Sequence, residues 1–269
     1  MRKAAFSESG YWALILGGSS GIGLATAQKL AREGMHIFLI HRDRRQELPR
    51  IEAACEEMRQ TGIKLVRKNM DAIQEEHIQT IVQICQQELG PDDRIRLLLH
   101  SIAKGNLKPM VPKEELSSPS LRRQDFQLTI EAMALSLYDW VQALHLQQLF
   151  ASDARVIGLT SEGNQRAWAN YAAVSAAKTS LEAICRSIAL EFAPHGIRCN
   201  VVQAGVTDTP SLRMIPGSEH LKQLARSRNP YGRLTRPEDV ADAIYLLCKQ
   251  EAAWINGTII PVDGGEGRM

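Results

Sequence analysis

Gly17-Gly18-Ser19-Ser20-Gly21-Ile22-Gly23 decides the reading of this chain. An apolar run, 12–16, enters it directly, and a helical face leaves it through Ala25, Ala27 and Leu30. Glycines between a strand and a helix permit a tight turn and bring backbone N–H groups and the positive end of the helix dipole close to a ligand. The group that such a turn fits is the pyrophosphate of a dinucleotide. A glycine cluster alone is weak evidence; the strand before it and the helix after it give it weight.

Outward from this turn, short apolar runs recur at 36–40, 63–66, 95–99, 155–160, 198–202 and 258–262, separated by longer stretches with helical spacing and polar faces. Runs such as Arg96-Leu97-Leu98-Leu99 are continuous rather than alternating, as a strand covered on both sides requires. The pattern predicts an α/β fold: a doubly wound, seven-stranded parallel sheet with helices on both faces, in one domain over residues 1–269. Pro49 falls in the first turns of the second helix, Pro194 and Gly196 end a helix that begins near Asn170, and Arg236-Pro237-Glu238-Asp239 opens another. Residues 104–120, with Pro109, Pro112 and Pro119, and residues 208–229, with Pro210, Pro216 and Gly217, resist the pattern. Both follow strand ends, where open α/β sheets bind ligands, so both are expected to be loops bounding a substrate pocket. Long helices are expected at 122–150 and 171–192.

Composition narrows the function. The 269 residues are 44% apolar and 23% charged, ordinary for a globular protein able to bury its own core. With 32 basic and 30 acidic residues interspersed, a formal net charge of +2 gives no field for nucleic acid or an anionic membrane. Five cysteines without CxxC or His–Cys spacing suggest reduced thiols and no metal site. The apolar stretch at 11–16 is too short for a signal peptide, and no run approaches the roughly 20 residues of a membrane span, so a cytoplasmic protein is expected.

The glycine spacing, Gly-x3-Gly-x-Gly, resembles the short-chain dehydrogenase/reductase family, whose fold is Rossmann-type. Matches to that family continue in order along the whole chain: Asp71 after the third strand, Ser101-Ile102-Ala103 after the fourth, Ser161, Tyr171 and Lys178, the stretch from Asn200 to Thr209, Gly232-Arg233 with Pro237-Glu238-Asp239-Val240-Ala241, and Val262-Asp263-Gly264-Gly265. The resemblance implies that the cofactor is held by Gly17, Ser19, Ser20, Gly21, Ile22, Gly23, Asp71 at the adenine, Ser101, Ile102, Ala103, Lys178 at the nicotinamide ribose, Gly205, and Thr209 near the carboxamide. It implies a homotetramer as well.

At the end of the second strand, a carboxylate would favour the ribose hydroxyl of NADH, and an arginine the 2′-phosphate of NADPH. His41 stands at the position of the carboxylate and Arg42 follows it, so NADPH is favoured over NADH. The alternative, a solvated basic face at Arg42, Arg44 and Arg45 with Asp43 competing, stays open from sequence.

Most of the family carries its catalytic tyrosine four residues before the lysine, a slot held here by Val174. The nearest tyrosine, Tyr171, is seven before Lys178, close to two helical turns or about 10.5 Å of rise. Tyr171 must therefore sit at the head of the helix. This spacing resembles the enoyl-acyl-carrier-protein reductases, a divergent branch. His100-Ser101-Ile102-Ala103 and Ala204-Gly205 also side with that branch, as does the lack of any asparagine from Leu107 to Gly163, where most members place one in a proton relay.

Reduction of a conjugated C=C puts charge on the thioester oxygen as an enolate, which a tyrosine hydroxyl can stabilise without a relay. Reduction of a carbonyl needs a proton delivered to an alkoxide. Ser161 stands ten before Tyr171, where the commonest enoyl reductases have a second tyrosine, and it also fits the family's catalytic serine. The catalytic set is thus Tyr171, Lys178 and Ser161. The reading is an NADPH-dependent enoyl reductase of fatty-acid synthesis, acting on an acyl thioester carried by coenzyme A or acyl carrier protein. The alternatives are a ketoreductase and a non-catalytic NADPH sensor. His100 reads as a structural histidine, and Trp168 as packing or a subunit contact.

Overall fold

The computed structural model describes residues 4–112 and 120–268. Its sheet contains β1 (Tyr11–Leu16), β2 (His36–His41), β3 (Leu65–Asn69), β4 (Arg94–His100), β5 (Phe150–Ser161), β6 (Ile197–Ala204) and β7 (Ile259–Val262). All pair in parallel, in the order β3-β2-β1-β4-β5-β6-β7. The helices are α1 (Gly21–Arg32), α2 (Leu48–Arg59), α3 (Glu75–Glu88), α4 (Arg123–Ile130), α5 (Ser136–Leu146), α6 (Ala172–Glu191), α7 (Pro210–Arg213), α8 (Ser218–Arg228) and α9 (Pro237–Cys248). The doubly wound Rossmann-type sheet expected from the sequence is present.

Alternation along β1 shows why both faces are covered. Trp12, Leu14 and Leu16 enter a core made with α3, α5 and α6, while Ala13 and Ile15 enter the opposite core, made with α1, α2 and α9. Each face withdraws whole Leu and Ile side chains from water, worth about 1.5–3 kcal/mol apiece.

Three expectations are corrected. β3 runs from Leu65 to Asn69 rather than over 63–66. It lies at the edge of the sheet and is only half-buried, so Arg67, Lys68 and Asn69 can extend it without an apolar run. The helix expected over 122–150 ends at Leu146, passing through a π-helical turn at Glu131–Leu135 that joins α4 to α5, and Phe150 already belongs to β5. Residues 208–229 form α7 and α8 rather than a loop. Pro210 sits at the first helical position, Thr209 caps the Leu212 N–H at 3.2 Å, and Gly217 at φ +80° separates the helices, so these residues begin helices rather than break them. Of the other loop, 104–112 is irregular as expected; 113–119, with Pro119, lies outside the described residues.

Candidate active site

A cleft of about 850 Å³ opens at the carboxyl ends of the strands, over the point between β1 and β4 where the winding reverses. It is lined by Gly17, Ser19, Ser20, Gly21 and Ile22, by Arg42 and Asp71, by Ser101, Ile102 and Ala103, by Ser161, Tyr171 and Lys178, and by Gly205 and Thr209. Gly23 alone of the expected residues lies behind the wall. A Cβ there would collide with the Gly17 carbonyl, and one on Gly17 with the Ser101 carbonyl, so these glycines let the turn fold against β4.

These residues fit a dinucleotide. Gly17 has φ +84° and Gly21 φ +53°. The side chain of Ser20, at the N-cap of α1, makes no capping hydrogen bond, which leaves the first N–H groups of that helix to a ligand. Thr209 packs close by, its methyl carbon 3.0 Å from where a Cβ on Gly21 would stand.

At the end of β2, Arg42 donates to Asp71 at 2.7 Å, and Lys104 lies 3.6 Å from the same carboxylate. Burial works to raise the Asp71 pKa, but the Arg42 hydrogen bond and the Lys104 charge outweigh it and hold the carboxylate below its usual range. Asp43 is turned the other way: its carboxylate meets His41 Nδ1 at 2.9 Å.

The reactive groups come from β5 and the head of α6. Asn170, at φ +66°, turns the chain so that Tyr171 occupies the N-cap of α6. The ring lies against the backbone of Gly163, where a Cβ would stand 2.9 Å from the ring carbon Cδ1. The Tyr171 hydroxyl is 3.2 Å from Ser161 Oγ. Burial raises the phenol pKa, with the Ser161 hydrogen bond opposing, so Tyr171 stays protonated. Two turns along, Lys178 donates to the Leu159 carbonyl at 2.8 Å. Burial pushes its pKa down to about 8, with the Glu182 charge opposing.

Val174, in the slot of the usual tyrosine, is buried in an apolar cluster with Met133, Tyr171 and Ala177. His100 is buried: its Nε2 lies 2.8 Å from Ser136 Oγ and its Nδ1 has no partner. Burial first, then the Lys178 charge, lowers its pKa to about 3, so it stays neutral.

Three features escaped the sequence reading. Trp168, read as packing or a subunit contact, lines the cleft with its ring 5.2 Å from that of Tyr171. Glu182 accepts from Thr160 at 2.6 Å and from Asn164, tying the Ser161 turn to α6. Its spacing, four after Lys178 on one helical face, was the available signal. Glu162, which itself lines the cleft, meets Arg228 and Glu266 behind the Ser161 turn, with no local spacing to announce them.

A tyrosine, a lysine and a serine grouped beside a pyrophosphate cradle define a dinucleotide-dependent oxidoreductase. Residues 17–266 match the family model described as enoyl-(acyl carrier protein) reductase, and the chain belongs to this divergent branch of the short-chain dehydrogenase/reductase family. Over 254 residues it is 29% identical to the cis-4-hydroxycyclohexanecarboxylate dehydrogenase of Sinomonas cyclohexanicum, covering 94% of this chain and 95% of that one. It is 25% identical to the peroxisomal 2,4-dienoyl-CoA reductase of Mus musculus over 255 residues, 94% of this chain and 82% of that one. The fold is that of the enoyl-[acyl-carrier-protein] reductase (NADH) of Aquifex aeolicus VF5, with a TM-score of 0.78 at 24% identity over 97% of this chain and 98% of that one. Members of the family use NAD(P)H.

Proposed function

We propose that the protein is an NADPH-dependent reductase of the C=C bond of an enoyl thioester. The observation that carries this reading is the placement of the acid. Tyr171 stands at the head of α6, seven residues before Lys178, with its hydroxyl beside Ser161, while Val174 makes the position four before Lys178 part of an apolar wall.

NADPH, when bound, supplies the hydride to the β-carbon. The neutral Tyr171 hydroxyl donates to the thioester oxygen as it gathers enolate charge, Ser161 is the second donor within reach, and a proton from water at the α-carbon completes the saturated thioester. The Lys178 ammonium gives one N–H to Leu159 and keeps two for the ribose hydroxyls. Met133, Val174, Trp168 and Ile215 offer the acyl chain a largely apolar surface. Arg42 supports NADPH, because it lines the cleft at the end of β2 with its charge partly met by Asp71 at 2.7 Å, while the Asp43 carboxylate is turned to His41. The mouse relative is by name a reductase of a dienoyl thioester, which agrees with this reading.

Carbonyl reduction is the second reading. The hydrogen bond between Ser161 and Tyr171 suits a ketone oxygen equally well, and the Sinomonas relative is by name a dehydrogenase of a hydroxy acid. Oxidation of NADPH, followed separately with crotonyl and acetoacetyl thioesters, separates the two. Turnover of crotonyl thioester is expected; turnover of acetoacetyl thioester alone would overturn the proposal.

A further inference from the structure

Arg228, at the carboxyl end of α8, does not line the cleft, yet its guanidinium holds two carboxylates inside the protein. One is Glu162, the residue after Ser161; the other is Glu266, at 3.0 Å. The side chains of Arg228, Glu162 and Glu266 are 15%, 10% and 2% exposed, so all three charges are largely withdrawn from water. Glu266 also accepts the Val206 N–H at 3.1 Å, and a Cβ on Gly205 would stand 2.9 Å from its carboxylate. It therefore fixes the turn after β6 that leads to Thr209.

Three parts of the site meet at this guanidinium: the residue next to Ser161, the turn carrying Gly205 and Thr209, and the far foot of segment 209–228, whose near part lines the cleft through Thr209, Leu212, Met214 and Ile215. The foot is tied again by Asn229, which donates to the Asp263 carbonyl at 2.9 Å. Two buried carboxylates on one buried cation are a poor choice for stability alone, since each charge costs desolvation and the only other cation beside them, Arg166 at 3.7 Å from Glu162, is exposed to water. Arg228 Nε is left without a partner as well. Such an arrangement holds elements in register and loses its basis when one of them moves.

We propose that Arg228 is a positioning residue that couples the seating of the 209–228 cover over the acyl group to the alignment of Ser161 beside Tyr171. This rests on the reading of Ser161 and Tyr171 as the groups that meet the substrate oxygen. It does not depend on whether that substrate is an enoyl or a keto thioester.

A double-mutant cycle between Arg228→Gln and Ser161→Ala tests it with whichever thioester the wild type turns over. Arg228→Gln should lower kcat by about tenfold or more and raise KM for the thioester, with the NADPH dissociation constant within about twofold of wild type. The double variant should be no more than about threefold slower than Ser161→Ala alone, because both changes disable one unit. Arg228→Lys should recover much of the loss. Hydrogen exchange gives a readout that needs no turnover: in Arg228→Gln, exchange should quicken together in 161–166, 205–209 and 209–228, with β4 unchanged. Should Arg228→Gln not fold, Glu162→Gln replaces it in both measurements with the same expected pattern. Additive losses, or quickened exchange confined to 218–228, would overturn the proposal. Failure of the enoyl reading would show separately, as wild-type turnover of acetoacetyl thioester alone.

Discussion

The two edges of the sheet carry opposite arrangements of charge. At the amino edge, Arg96, Arg155 and Arg198 converge on the single carboxylate of Asp153, at 2.6 Å from Arg96 and 2.5 Å from Arg155. Carbonyl oxygens at the end of α9 and the turn behind it take the remaining N–H groups: Cys248 from Arg96, Leu247 and Lys249 from Arg155, Ala253 from Arg198. The carbonyls at a helix end lack partners within the helix and lie at the negative end of its dipole, so they offset the surplus positive charge. At the carboxyl edge a single buried arginine, Arg228, serves two carboxylates, with the exposed Arg166 3.7 Å from one of them.

Among the described residues, four buried side-chain polar atoms have no partner, and three of them, His100 Nδ1, Asn164 Oδ1 and Arg228 Nε, lie at the carboxyl edge. The contrast separates two uses of buried charge. Asp153 and its arginines fasten the end of α9 to the sheet, where the Tyr245 hydroxyl is the one unmatched group of the four, whereas the other three surround the place where ligands complete the structure.

The contrast breaks most visibly at Asp153. Asp153→Ala strands three arginines without a carboxylate and is expected to cost about 3–5 kcal/mol in urea unfolding. The folded fraction should still bind NADPH within about twofold of wild type; unchanged stability would contradict the matched-edge reading. Tyr171→Phe is the reverse case. It should reduce kcat by about 10²–10³, the loss expected for one oxyanion donor, with stability changed by no more than about 1 kcal/mol. Full activity in that variant would remove Tyr171 from the chemistry.

Acid sharpens the amino edge. Burial works to raise the Asp153 pKa, but Arg155 and Arg96 outweigh it and hold the folded value at about 2. The unfolded value is near 3.9. The folded pKa is thus the lower, so this contribution is complete above about pH 4 and about 2 kcal/mol is lost as pH falls from 4 to 2. An Asp153→Asn variant should lack that part of the acid transition. The smallest effect belongs to Arg42→Ala, which should weaken NADPH about tenfold in a fluorescence titration and leave NADH unchanged; equal weakening of both would assign Arg42 to the solvated face.

The sequence revealed whatever depends on local spacing. The glycine turn, the buried strands and the seven-residue step from Tyr171 to Lys178 are all written in neighbouring residues, and the structure brings Ser161, Tyr171 and Lys178 into one cleft. What depends on distant partners was hidden. Arg228 lies 66 residues from Glu162 and 38 from Glu266, and no periodicity joins them. Edge strand β3 was displaced because a half-buried strand needs no apolar run, and α7 and α8 were missed because a proline at a helix start resembles a proline in a loop. Trp168 looked like packing because only the fold shows that the chain before Tyr171 turns it into the cleft.

One measurement bears most directly on the chemistry assigned to Tyr171. Equal concentrations of crotonyl and acetoacetyl thioesters are offered together with NADPH deuterated at the transferred C4 position, and the products are read by mass spectrometry. Butyryl thioester carrying one deuterium on its β-carbon is expected to dominate; deuterated 3-hydroxybutyryl thioester without labelled butyryl would contradict enoyl reduction.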